Sequence, residues 1–134
     1  MQESNTLDRA REYETKHRAE RAERPVFHIT APVGWCNDPN GWSCYQGQYH
    51  LFYQYHPYSK NWGPMHWGHA VTADFLTWKD LPCALAPDSS FDAAGCFSGG
   101  AIEWKGRQLV LYTGVMKEGD GEIQQQCLAL GDGE

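Results

Sequence analysis

The residues best placed by type and spacing to act on a ligand are Asn37 and Asp38, within Trp35-Cys36-Asn37-Asp38-Pro39-Asn40-Gly41. A carboxylate beside an amide donor can stay ionised while it faces a developing positive charge or bonds a polar ligand. Asp-Pro-Asn-Gly is also a strong β-turn sequence, and taken alone it reads as a turn and nothing more. Context shifts that balance: Trp35 and Trp42 flank the turn, and a run with strand character follows it directly. Other groups with chemical capacity lie further along. Gln54 ends an aromatic strand, Trp62 opens Trp62-Gly63-Pro64, and Phe97-Ser98 precede Gly99-Gly100. Each also has an ordinary structural role open to it: an amide bonded to a neighbouring loop, a core aromatic, a turn serine. His50, His56, His66 and His69 fall close together, and His66-x-x-His69 has a chelating spacing. Aromatics surround them and no carboxylate stands ready as a third ligand, so no metal site is expected.

Holding such groups in place calls for strands. After Pro25 the chain reads as short strands broken by turns: Gly41 to Tyr45, the tight turn Gln46-Gly47, then Gln48 to Tyr55. Gly68 to Ala73 and Thr77 to Leu81 are two more, around Asp74-Phe75-Leu76. Ala101 to Trp104, the turn Lys105-Gly106 and Arg107 to Val115 form a second hairpin, and Ile123 to Leu130 follows through the loop Glu118 to Glu122. The second hairpin repeats the first. Gly41, Gly47 and Tyr53 recur 59 positions on as Gly100, Gly106 and Tyr112, and Ala70 and Val71 recur as Ala129 and Leu130. A hairpin plus a third strand, with a fourth at Thr77 to Leu81, is the sequence pattern of a β-propeller blade. The first strand of each blade lines the central axis, which is where Asp38 would then stand. The second repeat reaches Glu134 where its outer strand should begin, so fewer than two blades are expected, against at least four for closure. Either the chain is a fragment of a propeller or the fold is a small open sheet; the expectation is the all-β propeller fragment, whose exposed blade edge promotes self-association.

Thr6 to Arg24 reads as a helix, capped by Asn5 or Thr6 and ended by Pro25, with acid-before-base pairs Glu12–Lys16, Glu14–Arg18 and Glu20–Arg24. Its apolar stripe of Leu7, Ala10, Tyr13 and His17 is weak, so it is expected to pack loosely outside and to carry no chemistry. The division is thus a charged N-terminal helix over 1–24 and truncated propeller over 25–134. A net charge of −6, with no Lys/Arg block beyond the first 24 positions, argues against a nucleic-acid partner. No apolar run reaches the ~18 residues of a membrane span, and Met1 to Ala10 has no apolar signal core. The five cysteines are odd in number and form no Cys-x-x-Cys pair, so they read as free thiols. Thiols without a signal segment point to the cytoplasm. The six Trp, seven Tyr and five Phe suit strand cores, and they also suit sugar sites, where rings stack on apolar sugar faces.

Trp35 to Gly41 resembles the signature of the invertase and sucrose-6-phosphate hydrolase family, glycoside hydrolase family 32, which usually reads Trp-Met-Asn-Asp-Pro-Asn-Gly. The resemblance continues through Arg24-Pro25…His28, Phe52-Tyr53-Gln54-Tyr55-His56-Pro57, Trp62-Gly63-Pro64-Met65-His66-Trp67-Gly68-His69 and Phe97-Ser98-Gly99, and so covers the chain from Arg24 to Asp132. It implies a five-bladed β-propeller and a retaining hydrolase of terminal β-fructofuranosyl bonds, acting on a sugar such as sucrose, sucrose 6-phosphate or a fructan. It implies no metal and no cofactor. Carried over by residue, it implies that Asp38 is the nucleophile and that Asn37, Gln54, Trp62, Phe97 and Ser98 line the fructosyl pocket, with Trp35 a further candidate for its wall. Cys36 stands where the family usually has Met, and Gly100 where Ser is common; neither touches a proposed catalytic group.

A retaining glycosidase needs a second carboxyl about 5–5.5 Å from the nucleophile to protonate the leaving oxygen. The family resemblance places it in a Glu-Cys motif, with a helper Asp in Arg-Asp-Pro, and neither motif occurs here. Glu103 is a poor substitute, and Asp88 and Asp92 match no acid of the family. The chain by itself is therefore expected to be inactive. The alternative is a non-catalytic carbohydrate-binding fragment using the same pocket, and a propeller hydrolase acting on other sugars is a third reading.

Overall fold

A computed structural model describes residues 6–131. It contains helix α1 (Thr6–His17), a 3-10 turn at Arg21–Glu23, and strands β1 (Trp35–Tyr45), β2 (Gln48–His56), β3 (His66–Thr72), β4 (Lys79–Leu85), β5 (Gly95–Trp104), β6 (Arg107–Glu118) and β7 (Gly121–Leu130). The strands form two antiparallel meanders, ordered β1-β2-β3-β4 and β5-β6-β7. This is the architecture expected from the repeat, and the pairing carries the offset. Leu51 faces Ala70 as Val110 faces Ala129, and Tyr45 faces Gln48 as Trp104 faces Arg107. Both hairpin turns have two central residues at positive φ, Gln46 (48°) with Gly47 (74°) and Lys105 (51°) with Gly106 (75°). That geometry matches the right-handed strand twist and accounts for a glycine second in each pair.

The inner strands differ from the expectation. β1 begins at Trp35 rather than Gly41, and β5 at Gly95 rather than Ala101. Asp38-Pro39-Asn40-Gly41 is therefore not a turn but the middle of a strand. Its turn-forming residues are absorbed by two irregularities in register, between Cys36 and Pro39 and between Asn40 and Ser43. β5 has only one, between Phe97 and Gly99. The inner strands thus match 60 positions apart over this stretch. Gly100, facing Leu111, is the counterpart of Asn40, facing Phe52, and not of Gly41.

Alternation along β2 divides its side chains between two cores. Phe52 and Trp67 meet Cys96, Val110 and Tyr112 between the sheets. Tyr53, Tyr55 and Cys83 lie on the other face of the first sheet, under Ala10, Leu7 and the lead-in residues Ile29, Ala31 and Val33. On the second sheet, the face turned away from the first carries Ile102, Trp104, Leu109, Leu128 and Leu130, which line a shallow apolar groove of about 270 Å³.

The helix is shorter and more tightly held than its sequence suggests. It ends at His17, because the Ala19 N–H bonds the Pro32 carbonyl (2.9 Å) instead of continuing the helical ladder. Asn5, one proposed cap, lies outside the described residues. The Glu12–Lys16 pair forms at 2.6 Å on the surface. Glu14 instead turns inward, where its carboxylate accepts the Cys83 N–H (2.9 Å), while Arg11 Nε donates to the Cys83 carbonyl (3.0 Å). α1 thereby satisfies both backbone groups of a residue on the edge strand β4. Burial raises the Glu14 carboxyl above its ordinary range, and the hydrogen bond from the Cys83 N–H partly offsets this. Arg24, expected to pair with Glu20, forks onto Asp80 of β4 instead, and Arg18 joins the same carboxylate at 3.1 Å. Desolvated, convergent partners outweigh exposed i,i+4 pairs.

Candidate active site

Every strand-borne candidate lies near the irregularities of β1 and β5, which pack against each other. In β1, Asn37 and Asp38 together oppose the single residue Gln54 of β2, so one extra residue is fitted into the strand. A bulge of this kind re-aims side chains that regular alternation would send to opposite faces. Asn37 and Asp38 are both exposed, whereas Asn40, two residues past Asp38, is buried. The motif therefore divides: its first amide and its carboxylate face solvent, and its second amide is built into the fold.

Gln54 is 4% exposed and donates from Nε2 to the Cys96 carbonyl at 3.1 Å. The amide thus has the structural use that its strand position allowed, and that use ties β2 to β5 one residue before Phe97. Trp67 makes a parallel tie, its Nε1–H reaching the Phe97 carbonyl at 3.2 Å. Ser98 is exposed and falls at the register shift of β5, between Phe97, which faces Thr113, and Gly99, which faces Tyr112. Phe97 is half-buried, and its ring lies so close to Gly95 that a Cβ there would meet it at 2.8 Å.

Two aromatics bound this region from the β2–β3 side. Trp35, half-buried, is the first residue of β1 and faces His56 across the ladder. Trp62 stands in the loop over residues 57–65 and is 61% exposed, so it is not a core aromatic. The structure thus gathers Asn37, Asp38, Gln54, Phe97 and Ser98 at the junction of β1, β2 and β5. Trp35 and Trp62 are placed at its margin, on the strand start and the adjoining loop.

The four histidines do not converge on a single point. Residues 66 and 69 of a strand point to opposite faces. His66 Nδ1 lies 2.9 Å from the Pro64 carbonyl, and His69 Nε2 lies 2.9 Å from His50 Nδ1. Among the described residues there is no group of three or more potential metal ligands.

The acidic candidates set aside from sequence also have definite places. Asp92 is 1% exposed and accepts the Tyr112 O–H (2.7 Å) and the Ser89 N–H (2.9 Å). Glu103 is exposed near the hairpin end of β5, five residues past Ser98, which is about 16 Å along an extended strand. Asp92 is thus committed to its own hydrogen bonds, and Glu103 lies at the far end of β5 from the bulge at Ser98. Sequence reading passed over the structural parts of Asp92, Tyr112, His56 and His66. The only signal was proximity: Asp92 precedes Phe97 by five residues, and the two histidines bracket the Trp62 loop.

Residues 28–134 match the model of the Glycosyl hydrolases family 32 N-terminal domain. A sucrose-6-phosphate hydrolase of Zymomonas mobilis is 56% identical over 109 residues, covering 78% of this chain and 21% of that protein. A raffinose invertase of Escherichia coli is 46% identical over 110 residues, covering 78% and 23%. Among solved structures, a Bombyx mori GH32 beta-fructofuranosidase, determined as a mutant in complex with sucrose, is similar with a TM-score of 0.84 at 39% identity. That likeness covers 98% of this chain and 28% of that one. The sucrose-6-phosphate hydrolase from Lactobacillus gasseri gives a TM-score of 0.77 at 36% identity, covering 93% and 25%. The chain spans about a fifth to a quarter of the length of these relatives. Its two sheets are about two blades of a five-bladed propeller.

Proposed function

Because this chain belongs to glycosyl hydrolase family 32, we propose that it supplies the nucleophile-bearing part of a hydrolase that cleaves terminal β-fructofuranosyl bonds in sucrose or sucrose 6-phosphate with retention of configuration. The observation that carries this reading is the β1 bulge, which presents the Asp38 carboxylate to solvent opposite Gln54, at the seam between the two blades. In this reading Asp38 attacks the anomeric carbon of the fructosyl unit. The bond to the leaving oxygen breaks, and that oxygen takes a proton from an acid. Water then attacks the fructosyl–Asp38 ester, giving up its proton to the same group, now a base, and restoring the carboxylate. Asn37 and Ser98 offer hydrogen bonds to sugar hydroxyls, and Phe97, Trp35 and Trp62 offer apolar walls. Gln54 holds β5 beside β2 with its amide nitrogen, so its part is to fix the seam as well as to face the sugar.

Asp92 is buried in its own hydrogen bonds, Glu103 lies at the hairpin end of β5 away from Ser98, and the chain has no Glu-Cys motif to supply the acid/base group. The 134-residue chain alone is therefore read as non-hydrolytic, and turnover belongs to a longer protein. Substrate analogues with a good leaving group test the division of labour, because they need no acid in the first step. Trapping a fructosyl adduct on Asp38 supports the reading. An adduct on another residue, or none in a turnover-competent protein, overturns it.

Two further parts belong to the same reading. A cytoplasmic location is supported by the five free cysteines, of which Cys83 and Cys96 are buried, and is tested by cell fractionation. Self-association of the isolated chain is supported by β7, whose outer edge has no counterpart of the cover that α1 gives β4 among the described residues.

A further inference from the structure

The loop over residues 57–65 carries Trp62 and is bracketed by two histidines, His56 at the end of β2 and His66 at the start of β3. Both imidazoles point at one atom. His56 Nδ1 lies 3.2 Å and His66 Nδ1 2.9 Å from the Pro64 carbonyl oxygen. A carbonyl oxygen only accepts, so both Nδ1 atoms carry hydrogen and donate. His66 is 2% exposed and burial pushes it down to about 4, so it is neutral at pH 7 with its proton on Nδ1. The loop is shaped to reach this clamp. A Cβ on Gly63 would meet the His56 ring at 2.6 Å, so only glycine lets the backbone after Trp62 lie on the imidazole. The Met65 carbonyl then accepts the Cys96 N–H at 2.8 Å, fastening the far end of the loop to β5 beside Phe97. Directly before these fixed points Trp62 remains 61% exposed, an arrangement that core packing does not require.

We propose that His56 and His66 are positioning residues that, through their shared acceptor Pro64, hold the Trp62 loop so that the indole forms a wall of the sugar site beside Asp38. The link to Asp38 runs along β1, because His56 faces Trp35 and the Asn37–Asp38 bulge begins two residues later. This inference rests on the sugar-site reading above.

Two measurements test it. In the 134-residue chain, tryptic nicking at Lys60–Asn61 reports loop order, and nicking at the exposed Lys105–Gly106 turn is the internal control. His56→Leu and His66→Leu are each expected to speed nicking at Lys60 about tenfold relative to Lys105. His66→Asn, whose amide nitrogen can donate near the place of Nδ1, is expected to stay near the unmodified rate. Should the buried His66→Leu variant fail to fold, His56→Leu carries the test. In the complete hydrolase carrying this segment, His56→Leu is expected to raise KM for sucrose about tenfold while changing kcat less. Trp62→Ala should do the same, and combining the two should add little. Unchanged nicking in the leucine variants overturns the clamp. A raised KM in Trp62→Ala with none in His56→Leu also overturns it, while leaving the sugar site intact. Faster nicking with KM unchanged in both variants removes Trp62 from the site, and the proposal with it.

Discussion

Asp38 and Ser98 occupy matching places in successive blades. Cys36 faces Tyr55 as Cys96 faces Gly114, and Pro39 faces Tyr53 as Gly99 faces Tyr112, so the residue before each bulge closes is Asp38 in β1 and Ser98 in β5. The same backbone device presents a carboxylate in one blade and a hydroxyl in the next. It does so on strands that pack against each other, while the Gln54–Cys96 hydrogen bond ties the neighbouring β2 to β5.

Placed in a bulge and exposed, Asp38 should matter to chemistry and little to folding. In the complete hydrolase Asp38→Asn keeps the shape and removes the nucleophile, so kcat should fall by on the order of 10⁴-fold or more. The urea midpoint of the same variant should move little, since surface substitutions usually stay within about 0.5 kcal/mol. Retained turnover with a lowered midpoint would reverse the assignment, making Asp38 a structural residue.

The buried Asp92–Tyr112 pair should show the opposite division. Tyr112→Phe leaves a carboxylate that is 1% exposed with one donor fewer, at a cost of about 1–3 kcal/mol in urea denaturation. Asp92→Asn keeps the shape but weakens the same bond. Because the two act on one interaction, the double variant should be less destabilised than the sum, by about 1 kcal/mol. Strict additivity would mean that the 2.7 Å contact is not coupled to stability.

What the sequence made legible, and what it hid, follows from how local each feature is. Gln46-Gly47 and Lys105-Gly106 announce their turns because positive φ at two adjacent positions selects for such residues. The 59-residue offset survives in the middle strands because one face of each must reach the inter-blade core, and a slip would turn every side chain over. The bulges had no comparable signature. Asp38-Pro39-Asn40-Gly41 has the composition of a turn, and only its pairing with β2 shows it to be an irregular strand. Charge pairing was misread for a related reason. Helical spacing offers Arg18 to Glu14 and Glu20 to Arg24, yet the helix ends at His17, and the Cys83 N–H and the Asp80 carboxylate of β4, less exposed to water, take Glu14 and Arg24 instead. Asp38 could be singled out from local sequence, but the clamp on Pro64 could not, since its members meet only after the β2–β3 turn closes.

The histidines make stability dependent on acid in a definite direction. His69 is pushed down to about 3, first by burial and then by neighbouring His50, and burial also lowers His50. The ring of His69 stacks on Phe52 with centroids 4.1 Å apart. In the unfolded chain each imidazole takes its proton near pH 6.5. Between about 6.5 and 3 the unfolded state therefore binds more protons, and stability falls as pH falls through that window. At the matching places the second blade carries Leu109 and Leu128, with Leu128 facing Leu111 as His69 faces Phe52. Replacing the pair by His50→Leu and His69→Leu should move the acid-unfolding midpoint down by about one pH unit, followed by tryptophan fluorescence. His66, pushed down to about 4, should retain a smaller loss in the same range. An unmoved midpoint would mean that the acid response arises elsewhere.

The two blades also differ in what they leave uncovered. α1 bonds the backbone of Cys83 on the first blade's edge strand, and the second blade covers the first blade's apolar face. The second blade's own outer face leaves Trp104 52% and Leu128 58% exposed, beside the open edge of β7. Apolar surface next to an unpaired edge drives association. The 134-residue chain should therefore sediment as a concentration-dependent mixture at ~10–100 μM. Trp104→Lys with Leu128→Lys places two charges on that face without touching the inter-blade core, and should shift the distribution toward monomer. Deleting residues 6–17 uncovers β4 as well, so it should shift the distribution the other way. A parent chain that is monomeric throughout this range would show that the exposed face and edge do not suffice for association.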